Sequence, residues 1–149
     1  MTRARPRPII LVEDDPDDVS LMERAVAKAK LEIPLQIAPD VDEAVNYLLG
    51  HGVYADRNRY PLPELVLLSL DLAGRSGLDV LACIREELAL KRLLVVVLTS
   101  SQEPADVNTA YDLGANSYLV KPIRFAALLK LVKAVALYWL TLNEQPQVG

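Results

Sequence analysis

A doubly wound α/β fold, with five parallel strands in one sheet and five helices around it, is what this sequence predicts. Short apolar runs rich in Val, Ile and Leu alternate strictly with longer stretches of helical period. The runs are apolar throughout rather than alternately polar, as expected of strands buried on both faces. Strict alternation of this kind implies right-handed crossovers between parallel strands.

The first strand is Pro8–Val12. After it, Asp15 is a natural N-cap, Pro16 takes the first helical position, and Asp17 and Asp18 make an acidic first turn. Val19, Met22, Val26 and Ala29 mark the apolar stripe of that helix to about Lys30. Pro34–Ala38 reads as a strand and Val41–Leu49 as a helix closed by Gly50. His51 to Pro63 lacks apolar period and holds Gly52, Asn58, Pro61 and Pro63, so it is a long loop of the functional or mobile kind. Its His51 has no Cys or second His nearby and reads as a solvated loop residue rather than a metal ligand. Leu65–Leu70 is the central strand, followed by a turn over Ala73–Gly77 and a helix over Leu78–Leu88 with Leu78, Leu81 and Ile84 inward. Leu93–Leu98 is a buried strand. A helix starts at Glu103 and Pro104 and stops at Gly114, a plausible C′ residue. Asn116–Val120 is the last strand, Ile123–Leu140 a long final helix, and Glu144–Gly149 a polar end.

At 149 residues, 52% of them hydrophobic and 24% charged, the chain makes one domain with a real core. We read a basic, disordered arm over residues 1–7, a single domain over 8–142 and a tail over 143–149. The net charge of −4 argues against nucleic acid or a membrane surface as the main partner. Cys83 is alone, so no disulfide or cysteine zinc site arises; it reads as a small buried hydrophobe. No signal peptide is visible and no segment approaches a membrane span, so a cytoplasmic protein is expected.

The strand ends carry the chemistry. In parallel sheets ligands bind at the carboxyl ends of the strands. Glu13 and Asp14 follow the first strand, Ser69 the third, Thr99 the fourth and Lys121 the fifth. Carboxylates suit Mg²⁺, which takes one or two of them and keeps several waters. Capping does not explain Glu13 and Asp14, because Asp15, Asp17 and Asp18 serve that role better. Thr99 offers a hydroxyl to an anionic oxygen, and Lys121, held extended before Pro122, carries an ammonium over the sheet edge. The set describes a site for a divalent cation and a phosphoryl group.

The stretches Ile10–Asp15, Leu65–Leu70, Val96–Ser100 and Tyr118–Pro122 together resemble the response-regulator receiver domain of two-component signalling, with its flavodoxin-like fold. The resemblance runs from about Pro8 to Leu140. The His51–Pro63 loop and the Tyr138-Trp139-Leu140 end are similar to the small single-domain regulators partnered with bacterial phytochromes. The resemblance implies that Glu13 and Asp14 form the acidic metal-binding pair and that Asp71 lends a backbone carbonyl. It also implies that Thr99 is the signalling hydroxyl, Lys121 the family's lysine and Tyr118 the switch aromatic. The phosphoacceptor aspartate falls on Ser69, and the proline usual just after it is absent.

A serine hydroxyl is a poor nucleophile without an activating base, and its phosphoester lacks the lability of an acyl phosphate. Ordinary aspartyl phosphorylation at position 69 is therefore excluded, and Mg²⁺ binding is weakened by the lost carboxylate. Lys121, having lost a counter-charge, is expected to turn toward Asp14. The expected protein is not an enzyme. It is an atypical receiver acting through contacts with a sensor histidine kinase, of phytochrome type or otherwise, or with another signalling protein. The apolar Phe125, Tyr138 and Trp139 suggest a homodimer through the last helix and neighbouring strand. Two competing readings are kept. One is a phosphotransfer-active receiver, using Asp71 as acceptor or carrying Ser69 as an introduced replacement of aspartate. The other is a small Mg²⁺-dependent phosphohydrolase, which the lack of any nucleotide-binding glycine loop disfavours.

Overall fold

The computed structural model describes residues 7–149. The elements run β1 (Ile9–Val12), α1 (Pro16–Lys28), β2 (Leu35–Ala38), α2 (Val41–Leu49), β3 (Leu65–Leu68), α3 (Leu78–Glu86), β4 (Val95–Thr99), α4 (Pro104–Asp112), β5 (Ser117–Val120) and α5 (Phe125–Val135). All five strands are parallel, in the order β2-β1-β3-β4-β5. The doubly wound α/β sheet with five helices is therefore the fold.

The period of two along each strand feeds two cores. Ile10, Val12, Val66, Leu68, Val95 and Val97 pack with α2, α3 and α4. Ile9, Leu11, Leu65, Leu67, Val96 and Leu98 pack with Met22 and Ala25 of α1 and Leu128, Val132 and Val135 of α5. Because both faces are covered, the strand sequences carry no polar alternation. The helix punctuation follows the chain's own signals. Asp15 caps α1 through the Asp17 amide, Asp40 caps α2 through the Glu43 amide, and Gly50 and Gly114 turn with φ of 72° and 99°.

Three segments depart from the sequence reading. The third strand stops at Leu68, and Asp71–Leu72 instead pairs antiparallel with Arg75–Ser76 in a separate two-residue ribbon. The segment after α2 is anchored rather than loose. It forms a 3₁₀ turn at Gly52–Ala55, Tyr47, Tyr54 and Tyr60 stack edge to face, and Arg57 donates to the carbonyls of Tyr47, Leu48 and Tyr60. The last helix is α-helical only to Val135 and continues as π-helical turns over Ala136–Leu142. Together Phe125–Leu142 is long and apolar enough to cross a membrane, against the expectation that no segment approaches that length. Its Leu128, Val132 and Val135 nonetheless lie in the core, and a helix covering a soluble core passes the same test.

Arg7 and the C-terminal tail both contact segments that lead into the amino ends of strands, Leu62–Pro63 before β3 and Ala89 before β4. Of the arm read over residues 1–7, residues 1–6 lie outside the described residues. Arg7 donates to the Leu62 and Pro63 carbonyls. In the tail, Val148 packs on the α2–α4 core and the Gly149 amide donates to the Ala89 carbonyl.

Candidate functional site

Three polar residues are buried among the described residues, and all three stand at carboxyl ends of neighbouring strands: Glu13 at 4% exposure, Ser69 at 5% and Thr99 at 1%. Backbone bonds hold the corner together. The Glu13 amide donates to Ala38 O, Ser69 to Val12 O, and Lys121 to Thr99 O. Gly77 supplies the close approach behind Ser69, where any Cβ would collide with the Ser69 carbonyl oxygen. The sequence reading placed Gly77 in a turn without seeing this requirement.

Lys121 reaches Glu13 Oε1 at 2.7 Å and Asp18 Oδ2 at 3.0 Å. Strand alternation explains the direction. Ile9 and Leu11 face α1 and α5, as does Leu119, and one more step of two brings Glu13 and Lys121 to the same face. Asp14 falls on the other side, and its Oδ2 accepts from the Ala73 amide at 2.8 Å. The expected turn of Lys121 toward Asp14 is thus corrected, as is the purely helix-capping role given to Asp18. Burial pulls the Lys121 ammonium toward neutrality, but the hydrogen bonds and charges of Glu13 and Asp18 outweigh it and hold its pKa above the ordinary lysine value. A small cavity of about 30 Å³ adjoins this cluster, lined otherwise by apolar residues such as Leu11, Met22, Leu98 and Leu128.

Thr99 Oγ1 is buried with no hydrogen-bond partner. Tyr118 is partly buried on the α2–α4 side, and its hydroxyl donates to the Ser101 carbonyl at 2.9 Å, tying β5 to the segment after β4. Burial raises its pKa. Asp71 is exposed in the ribbon and lines an open cleft of about 390 Å³ with Leu70, Arg75 and Asp106. The alternation that would have put it on the face of Ser69 is broken where β3 ends. Cys83 is only half-buried, and burial pushes its thiol pKa up. His51 is exposed, 3.3 Å from Asn46 Oδ1.

The donors that would hold a divalent cation are Glu13, Asp14 and the Asp71 carbonyl. As arranged they do not fit one. Both Glu13 oxygens are engaged, Oε1 by Lys121 and Oε2 by the Asp14 and Asp15 amides, and one Asp14 oxygen, Oδ2, accepts from the Ala73 amide. Among the described residues no group of three His, Cys, Asp or Glu side chains is placed to hold a metal ion. What remains at the carboxyl edge of the sheet is an ammonium clamped by two carboxylates, with the buried hydroxyl residues Ser69 and Thr99 at the neighbouring strand ends.

Comparison with known proteins fits this geometry. The response regulator receiver domain profile matches residues 9–133. Response regulator Rcp1 of Synechocystis sp. is 36% identical over 135 residues, covering 91% of this chain and 90% of Rcp1. The crystal structure of the phosphorylated cyanobacterial phytochrome response regulator RcpA superposes with a TM-score of 0.87 at 34% identity, covering 96% of this chain and 100% of that one. The Mn²⁺-bound form of Rcp1 superposes with a TM-score of 0.84 at 35% identity, covering 95% and 100%. With the profile spanning most of the sheet and these relatives aligned nearly end to end, the chain belongs to the response-regulator receiver domain family.

Proposed function

We propose that this receiver module of two-component signalling works without aspartyl phosphorylation, through protein contacts. The observation that carries this is the buried Ser69 at the carboxyl end of β3, between the corners that hold Glu13 and Thr99. An acyl phosphate needs a carboxylate oxygen as nucleophile, and a serine hydroxyl is a poor nucleophile at neutral pH unless a base activates it. Divalent-cation affinity is correspondingly lower than in a receiver with an acceptor aspartate, because one anionic ligand is missing.

The partner class follows from the relatives. RcpA is a phytochrome response regulator, and a sensor histidine kinase of that type, in the cytoplasm, fits this chain. A second copy is the other partner. β5 is an edge strand, and beside it a groove of about 450 Å³ is lined by Ser117, Leu119, Leu131, Tyr138 and Trp139. Leu137 and Tyr138 are exposed on the adjoining helix, so the apolar surface is of the kind that pairs. The role is one of binding rather than turnover of a substrate.

The test is incubation with radiolabelled acetyl phosphate and Mg²⁺, followed by gel autoradiography. The protein takes up no acid-stable, hydroxylamine-sensitive label, whereas Ser69→Asp does. Such label on the Ser69 protein overturns the reading, and its loss in Asp71→Asn would then identify Asp71 as the acceptor.

A further inference from the structure

We infer that Asp18 is a positioning residue for Lys121, and that the clamped ammonium is the pocket's resident cation in place of a divalent ion. The inference deepens the proposed function and rests on its identification of this corner as the receiver pocket. Asp18 lies in the first turn of α1, where acids ordinarily serve the helix end. That duty is already met, because Asp15 caps the helix and Asp17 adds a second first-turn acid. The Asp18 side chain points instead to Lys121, 3.0 Å away, opposite Glu13 at 2.7 Å.

Burial makes the arrangement consequential. The Lys121 side chain is 18% exposed and that of Glu13 5%, with Asp18 at 34% closing the open side. The rest of the surrounding wall is largely apolar, and the adjoining 30 Å³ has room for about one water. A buried Glu13 carboxylate needs a positive partner, and here the chain provides it from its own fifth strand end. Two carboxylates on one ammonium fix the lysine on the α1 side of the sheet. Asp18 therefore keeps Lys121 from the Ser69 corner, and a cation approaching Glu13 must first displace the lysine.

Lysine-resolved acetylation tests this. Wild-type protein, Asp18→Asn and Asp18→Glu are treated with limiting acetic anhydride, and each lysine's modification rate is read by mass spectrometry. The exposed Lys130 and Lys133 serve as internal standards. Relative to them, Lys121 reacts about five-fold faster in Asp18→Asn than in wild type, the size expected for losing one partly exposed charge-assisted bond. Asp18→Glu returns the rate toward wild type. An unchanged Lys121 rate in Asp18→Asn overturns the assignment. Acceleration spread evenly over all lysines overturns it as well, since Asp18 would then be a general stabiliser. Phosphorylation of the Ser69 protein would sink the proposed function and leave this readout standing.

Discussion

At the scale of the residue, the pocket joins a fully served charge and an unserved hydroxyl. Glu13 and Lys121 satisfy one another, with Asp18 as the third member. Removing one partner of such a pair is costly, because the other remains as an uncompensated buried charge. Thr99 is the opposite case. No protein group among the described residues hydrogen-bonds its buried Oγ1, and a buried hydroxyl left unpaired costs free energy. Thr99→Val keeps the shape and removes the polar atom, and is expected to raise unfolding free energy by about 1 kcal/mol. Urea denaturation measures this; a lowered midpoint would show that the hydroxyl is bonded in solution.

Among the elements, the segment between α2 and β3 shows how a stretch without apolar period becomes ordered. Tyr54 donates its hydroxyl to Glu43 Oε2 at 2.6 Å across to the first turn of α2, and Tyr47 donates to the Pro61 carbonyl. Arg57 closes the other end of α2 on the Tyr47 and Leu48 carbonyls. The hydrogen bond to Glu43 pushes the Tyr54 pKa up from 10.0 to about 12, with burial adding to it. A folded-state pKa raised above the unfolded one contributes stability that is complete below the unfolded value and vanishes as pH rises through the folded one. The anchor is therefore intact at neutral pH and lost between about 10 and 12. Spectrophotometric titration of tyrosine absorbance shows a phase near 12, and Glu43→Ala moves that phase back toward 10.0. No late phase in the wild-type protein would count against the bond.

For the whole molecule, the sheet has two edges, β2 and β5, and the apolar groove lies beside β5. Pairing of two copies there would bury Leu137 and Tyr138, which are otherwise exposed at 56% and 55%. Sedimentation velocity at micromolar concentration is expected to show a dimer, and the double variant Leu137→Glu, Tyr138→Glu a monomer. A wild-type protein that sediments as a monomer removes this interface. The apolar character on which the proposed pairing rests is visible in the sequence at the end of the chain. That same character was misjudged for length, since Phe125–Leu142 meets the composition of a membrane span while one side of it covers the core.

Legible in the sequence alone were the α/β order, the helix-end signals at Asp15, Gly50 and Gly114, and the placing of Glu13, Ser69, Thr99 and Lys121 at strand ends. These are local properties: apolar period, capping chemistry and position relative to a buried run. Only the tertiary structure decided which charges meet. Lys121 and Asp18 are far apart in the chain, and their contact depends on β5 and α1 lying on one face of the sheet, which no local pattern records. The anchoring of the segment after α2 likewise rests on particular side-chain contacts, Tyr54 with Glu43, Tyr47 with Pro61 and Arg57 with the Tyr47 and Leu48 carbonyls, which no apolar period records.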